Sequence, residues 1–140
     1  SGFPVDDSLC HQGLGSDTMF DCFHYHGLSD EQAKREYMVP TRVLEQEAGY
    51  IRKEIVGYAQ TNCFKLHRYE ISAQCLVQSE SVCSGLFVLS GKGVLISGQK
   101  DYDLGVGDQF FIPACCSDFE LYASGLDPLV VFRCYGPQLK

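Results

Sequence analysis

The segment Met19–His26 holds the densest set of side chains that could bind a metal. It reads MFDCFHYH, so His24 and His26 lie two residues apart. On an extended strand alternate residues face the same side, and Cys22 would share that face with both histidines. Imidazole nitrogen and thiolate sulfur are zinc ligands, which makes this segment a candidate metal site. The alternative, which we favour, is an aromatic packing segment whose histidines bond to backbone groups.

A second segment with possible acid–base chemistry is residues 62–71, which follow a partly alternating pattern typical of a strand. His67 and Tyr69 fall on the same face of that strand, and Leu66, Arg68 and Glu70 fall on the other. Either face could line a ligand cavity. A single histidine such as His67 is more often a structural residue than a catalyst.

The stretch from Gly85 to Ala114 predicts short strands separated by glycine turns. Gly85–Leu89, Val94–Ser97 and Gln109–Ile112 are the apolar runs, and Gly98–Asp101 reads as a polar loop. The glycines near residues 91, 93, 105 and 107 suit tight turns because glycine adopts positive φ without steric cost. We therefore expect a β meander in which Ser90–Gly93 forms a hairpin.

This stretch resembles the cupin family. The strand, glycine turn and strand of that family are matched by Phe87–Gly91, and its second motif by Gly107–Pro113, which opens with Gly-Asp and closes with an apolar run and proline. The resemblance implies a mostly β fold, a small antiparallel β barrel or jelly roll of the RmlC-like cupin type. A generic glycine-cornered β sandwich is the alternative.

The metal ligands of the cupin family are missing from the matching positions. Counting back from Gly91, the family's glutamate falls on Ser84 and its histidines fall near Gln78 and Glu80. The histidine of the second motif falls on Asp118. Gln78, Glu80 and Asp118 could hold a cation weakly, but first-row metals prefer imidazole. We expect a metal-free barrel without a cofactor of its own.

The order of motifs along the chain resembles a narrower group, the C-terminal portion of bacterial type I mannose-6-phosphate isomerases. That order is Asp21–Tyr25, a capped helix, Pro40–Val43, Phe64–Ile71, the cupin motifs and Val130–Cys134. In that family a metal-binding cupin half comes first and a degenerate, metal-free half comes last. The resemblance implies that zinc in the parent enzyme polarises the substrate oxygens while a base moves a proton between adjacent carbons. None of the family's ligand motifs can be placed here, so we expect this chain alone to be inactive.

Two other functions remain open at this point. The chain could be a stand-alone cupin that binds a small sugar or metabolite in the barrel mouth. It could also be a metal-independent cupin epimerase or isomerase, in which His67, Tyr69 and Asp118 would act as acid and base if they converge. The expected partner is the catalytic N-terminal half of a parent isomerase or a small sugar ligand, and a homodimer is left open.

The rest of the chain predicts an N-terminal arm followed by strands. Ser29 and Gln32 form a capping box that predicts a helix over Asp30–Tyr37, which ends before Pro40. Residues 1–20 read as irregular, and Met19–His26 as extended. We therefore predict an arm with one short helix over residues 1–40 and a cupin-like barrel over residues 41–140. The further strands are expected at Thr41–Gln46, Tyr50–Val56, Phe119–Ala123 and Leu129–Cys134.

Composition and charge exclude several classes of function. The formal net charge of the 140 residues is -7 and no basic run is present, which argues against nucleic-acid binding. No apolar run has the length of a membrane helix, and Ser1–Pro4 does not resemble a signal peptide. These features favour a cytoplasmic protein. The sequence lacks an initiator methionine, which is expected either of a fragment of a longer protein or of a trimmed chain.

The eight cysteines could be read as a disulfide framework. The chain has no CxxC motif and is long enough to form its own core. We therefore expect reduced cysteines that are mostly buried.

Overall fold

The computed structural model describes Gly2 and residues 4–138 of the chain. It divides into two compact units, Ser1–Met38 and Val39–Lys140. No helix in the part of the chain that the structure describes is long and apolar enough to cross a membrane.

The first unit contains three short helices: α1 Asp7–Cys10, α2 Ser16–Asp21 and α3 Asp30–Tyr37. The capping box predicted for α3 is present, since Gln32 N–H donates to Ser29 Oγ at 3.3 Å and Ser29 N–H donates to the Gln32 amide oxygen at 3.0 Å. The prediction of a helix over Asp30–Tyr37 is therefore confirmed. Every described residue of these helices is at least partly exposed, so core packing does not determine where they begin. α1 and α3 begin at capping side chains, Asp6 and Ser29, whereas the N-cap of α2 is Gly15, which has none.

Two predictions for this unit were wrong. Residues 1–20 are not irregular throughout, because α1 and the greater part of α2 lie there, so residues 1–40 contain three short helices where one was predicted. Met19–His26 is not a strand, because Met19–Asp21 belongs to α2 and Cys22 is its C-cap. α1 begins at Asp6, whose carboxylate accepts a hydrogen bond from Ser8 N–H at 2.9 Å. A helix that depends on such a cap can be very short, so it shows no apolar periodicity in the sequence.

The second unit is built from antiparallel strands. In chain order they are β1 Arg42–Glu47, β2 Tyr50–Val56, β3 Lys65–Ile71, β4 Gln74–Val77, β5 Ser84–Ser90, β6 Gly93–Ser97, β7 Lys100–Leu104, β8 Gln109–Ile112, β9 Phe119–Ala123 and β10 Leu129–Tyr135.

These strands form a six-stranded sheet in the order β1-β2-β3-β10-β5-β8 and a four-stranded sheet in the order β4-β9-β6-β7. The two sheets do not close into one barrel. From β3 to β6 and again from β7 to β10 the chain alternates between the two sheets, as in a jelly roll. The predicted mostly β, jelly-roll fold is confirmed. The core joins inward residues of both sheets: Tyr69, Ile71, Leu86, Val88, Leu129 and Val131 from the larger, and Cys75, Val77, Leu95, Leu104, Phe119 and Leu121 from the smaller.

The predicted hairpin at Ser90–Gly93 was wrong, although its glycine geometry is present. β5 pairs with β10 and β8, whereas β6 pairs with β7 and β9, so the chain crosses from one sheet to the other here. Gly91 has φ +80°, and a Cβ at this position would lie 2.4 Å from the carbonyl oxygen of Pro128. Only glycine allows both this backbone conformation and this close approach.

Two strands were missed in the sequence. β7 begins at Lys100 inside the predicted polar loop, because its pairing with β6 depends on backbone hydrogen bonds and its side chains are largely exposed. β4 has only four residues and pairs with β9, which lies more than forty positions later in the chain. Neither strand has a local pattern strong enough to identify it.

The prediction that the cysteines are mostly buried was also wrong. All eight are free thiols in the structure; Cys75 is buried, Cys116 and Cys134 are half-buried, and the others are exposed, at positions 10, 22, 63, 83 and 115. The exposed ones lie in the first unit or in loops of the second, where no core is available to cover them.

Candidate functional site

The inner face of β3 carries the predicted pair His67 and Tyr69. Both are buried together with Ile71, whereas Leu66, Arg68 and Glu70 on the other face are half-buried. Of the two faces that the sequence left open, the one with His67 therefore faces the interior. The alternation of a strand accounts for this arrangement.

Neighbouring strands add charged groups to the same face. His67 is paired across the sheet with Glu54 of β2 on one side and with Arg133 of β10 on the other. Tyr69 is paired with Arg52, and Arg52 with Glu45 of β1. We call this set the inner polar cluster: Glu45, Arg52, Glu54, His67, Tyr69 and Arg133.

Several atoms of the inner polar cluster have no hydrogen-bond partner among the described residues. They are both ring nitrogens of His67, the Tyr69 hydroxyl and Arg52 Nε, although Arg52 Nε lies 3.4 Å from Glu45 Oε2 and forms an ion pair with it. His67 Nε2 lies 3.9 Å from Glu54 Oε2, which is too long for a hydrogen bond. Leaving a buried donor or acceptor without a hydrogen bond costs about 1–3 kcal/mol. Water or a ligand that formed hydrogen bonds to these atoms would therefore be stabilised in the cluster.

His67 is neutral at physiological pH. Burial lowers its pKa to about 4, and the positive charge of Lys65 acts in the same direction. The 3.9 Å contact with Glu54 is therefore not an ion pair at neutral pH. A neutral imidazole offers one donor and one acceptor, which suits it to hydroxyl groups or water.

Arg133 is the residue that sequence reasoning missed. It is only 1% exposed; its Nε donates to Ser84 Oγ at 3.0 Å and its Nη1 to the Gln78 carbonyl oxygen at 3.3 Å. Its guanidinium carbon lies 4.8 Å from the ring centroid of Tyr135 and 5.5 Å from that of Phe119. The sequence did contain a signal, because the spacing of two along β10 places Arg133 on the same inward face as Leu129, Val131 and Tyr135.

Arg133 explains two of the residues that replace the metal ligands of the cupin family. Ser84 stands where the cupin family places its glutamate ligand, and Gln78 stands near a histidine position, yet both direct an oxygen at this guanidinium. A hydroxyl, a backbone carbonyl and a fixed cation do not form a zinc-binding set. The described residues contain no group of three His, Cys, Asp or Glu side chains that could hold a metal.

The other two degenerate positions have different partners. Asp118 is exposed, and its Oδ1 accepts from the Ser79 N–H at 2.8 Å. Glu80 accepts from Lys65 Nζ at 2.6 Å and from the Tyr135 hydroxyl at 2.5 Å. Burial opposes ionisation of Glu80, but these hydrogen bonds outweigh it and lower its pKa.

The structure therefore brings His67 and Tyr69 together on one face of β3. Asp118 has a separate role, because its bond to Ser79 N–H ties the loop before β9 to the loop between β4 and β5. The catalytic use of these three residues stays a prediction. Glu54, on the neighbouring strand, is the carboxylate that lies beside His67.

The arm histidines are adjacent in space as well as in sequence. The ring centroids of His24 and His26 lie 4.9 Å apart, and both rings line a recess of the first unit with Glu36. Cys22 does not join them as a ligand on a strand face; its Sγ donates to the Thr18 carbonyl oxygen at 3.4 Å. Within the described residues no third ligand completes a metal site with them.

Comparison with known proteins identifies similar sequences and folds. A family model described as the cupin domain of mannose-6-phosphate isomerase matches residues 54–126. The probable mannose-6-phosphate isomerase GmuF of Bacillus subtilis is 25% identical over 118 residues, which cover 76% of this chain and 38% of that protein. The chain thus spans well under half the length of this relative.

Solved structures share the fold at lower sequence identity. The mannose 6-phosphate isomerase of Bacillus subtilis is 22% identical, with a TM-score of 0.57 over 69% of this chain and 28% of that one. An RmlC-like cupin from Shewanella frigidimarina is 13% identical, with a TM-score of 0.54 over 84% of this chain and 95% of that one. At these identities the similarity establishes the cupin fold.

Proposed function

Since the chain belongs to the mannose-6-phosphate isomerase cupin-domain family, we propose that it is the C-terminal, metal-free cupin domain of a protein of this type. The parent protein would interconvert an aldose and a ketose hexose 6-phosphate. This domain would pack against the catalytic half and shape its cleft. The match covers only 38% of the length of GmuF, which supports a role as one domain of a larger protein.

The observation that carries the proposal is the position of Arg133. Its guanidinium is permanently charged and hydrogen-bonded to Ser84, where the cupin family places a carboxylate ligand. A divalent cation brought to this position would meet a like charge in a buried environment, where repulsion is strong. The residues present do not fit zinc, so no catalytic step is assigned to a metal in this domain.

Assay of the purified chain tests the proposal. We expect negligible conversion of mannose 6-phosphate to fructose 6-phosphate, with or without added zinc, because the domain lacks a ligand set with an open coordination position. A metal-loaded mannose-6-phosphate isomerase assayed in parallel would show that substrate and coupling enzymes work. Turnover by the chain itself on the order of 10 per second would refute the proposal.

A further inference from the structure

A recess of about 470 Å³ opens beside the inner polar cluster. Its walls include Tyr58 in the loop after β2, Lys65 of β3, Glu80 in the loop before β5 and Tyr135 at the end of β10. We call it the mouth pocket. Its volume falls within the range of roughly 300–1,000 Å³ that is common for small-molecule sites.

The charges in the mouth pocket are matched. Lys65 Nζ lies 2.6 Å from Glu80 Oε2, and their side chains are 14% and 33% exposed. Because the pair is neutral as a whole, a strongly charged ligand would have to compete with one of its members. The ammonium still has donors to spare, and the carboxylate has free lone pairs. A hydroxyl group, which both donates and accepts, suits such a pair.

The other walls are mostly aromatic or aliphatic, and Ser81, Cys83 and Gln138 add polar groups. The Tyr58 hydroxyl donates to the Gly136 carbonyl oxygen at 2.8 Å, which fixes its ring. Lys65 Nζ lies 4.0 Å from the ring centroid of Tyr135 and 5.5 Å from that of Tyr58. Val82, Ala114 and Pro137 complete the apolar lining. These walls would receive the C–H face of a ring with little reorganisation.

We propose that the mouth pocket binds a neutral, polyhydroxylated ring of monosaccharide size. Hydroxyl groups would bond to Lys65 and Glu80, and the C–H face of the ring would lie on Tyr58. Behind the pocket, the His67 ring is edge-on to Tyr135 with 5.4 Å between centroids, so it supports one wall of the pocket. The proposal does not depend on the domain's being part of an isomerase.

Titration of the purified chain followed by nuclear magnetic resonance tests the site. The probes are D-mannose and D-fructose as neutral rings and inorganic phosphate as a charged comparison, each up to about 10 mM, where a dissociation constant near 1 mM approaches saturation. We expect at least one sugar to shift resonances of Tyr58 and Tyr135, with phosphate leaving them unchanged. No shift with either sugar, or shifts with phosphate alone, would overturn the proposal.

Variants separate binding from folding. Glu80→Gln and Lys65→Met should each weaken sugar binding at least about tenfold, since each removes a charged hydrogen-bond partner. Glu120→Gln is the matched control, because Glu120 pairs with the Tyr122 hydroxyl at 2.5 Å in the other sheet and does not line the pocket. Chemical denaturation shows that each variant is folded before it is titrated. Unchanged affinity in folded Glu80→Gln and Lys65→Met, or equal losses in Glu120→Gln, would contradict the assignment.

Discussion

Arg133 is a buried cation whose charge is matched by dipoles and aromatic faces rather than by a carboxylate bonded to it. Its hydrogen bonds go to Ser84 Oγ and the Gln78 carbonyl oxygen, and its faces lie near Tyr135 and Phe119. Burying a guanidinium is costly unless its donors are satisfied. Ser84 Oγ and the Gln78 carbonyl oxygen therefore help to stabilise the fold, because they satisfy the donors of this buried guanidinium.

Replacing Arg133 with alanine should destabilise the domain strongly. The change leaves a cavity and unpartnered buried oxygens, and we expect a loss of about 3–5 kcal/mol in the free energy of unfolding. Arg68→Ala is the control, because Arg68 is 41% exposed and paired with Glu70 on the outer face, and it should cost less than about 1 kcal/mol. Denaturant titration of both variants measures the difference, and similar midpoints would show that Arg133 is not a structural centre.

His67 should make stability fall as the pH is lowered. Burial lowers its folded-state pKa to about 4 from 6.5, so the unfolded chain binds the proton more readily. Its contribution is complete above pH 6.5 and is lost progressively between pH 6.5 and 4. Between pH 7 and 5 the loss should be about 2 kcal/mol.

The His67→Gln variant isolates this effect, because glutamine does not titrate while the carboxylates around the site remain. The measured quantity is the free energy of unfolding at pH 7 and at pH 5 in both proteins. The wild type should lose about 2 kcal/mol more than His67→Gln over this interval. An equal loss in the two proteins would mean that His67 is not kept neutral by its surroundings.

At the scale of the elements, the crossing between β5 and β6 depends on Gly91. A side chain here would combine a positive φ of +80° with a contact of 2.4 Å to the Pro128 carbonyl oxygen. We expect Gly91→Val to cost about 2–6 kcal/mol, the sum of backbone strain and overpacking at about 1–3 kcal/mol each.

Gly98 is the matched control for Gly91. It has φ +63° in the turn between β6 and β7, but a Cβ there would meet no atom within 4 Å. Gly98→Val should therefore show the strain alone, roughly 1–3 kcal/mol, and Lys92→Ala in the crossing should stay within about 0.5 kcal/mol. If Gly91→Val were no more costly than Gly98→Val in thermal or chemical unfolding, the close approach to Pro128 would not matter.

Elements with a local signal could be predicted from the sequence, and those without one could not. Ser29 and Gln32 specify α3 because both partners of the capping box lie within one turn. The partners of β4 and of the strands on either side of the β5–β6 crossing come from distant parts of the chain, so their pairing is a tertiary property. β7 pairs with the neighbouring β6, but its polar, exposed side chains give no strand pattern. The same holds for the site: alternation places His67 and Tyr69 on one face, but only the sheet register brings Glu54 and Arg133 beside them.

At the scale of the whole molecule, the second unit preserves the cupin fold while its metal-ligand positions have taken other roles. Ser84 and Gln78 bind Arg133, Glu80 binds Lys65 and Tyr135, and Asp118 braces a loop. Each position at which the cupin family places a metal ligand thus contributes here to the structure of the domain or of the mouth pocket. These contacts support the proposal of a cupin domain that serves in packing and recognition and not in metal chemistry.

The most direct test of this account is the metal content of the purified chain after incubation with zinc and exhaustive dialysis. We expect well under one zinc per chain, because the Arg133 guanidinium is bonded to Ser84 and Gln78, at the positions where the cupin family places its ligands. Any zinc held by the arm should disappear in the His24→Ala/His26→Ala variant. One zinc per chain that survives dialysis in that double variant would place a metal in the cupin unit and contradict the account.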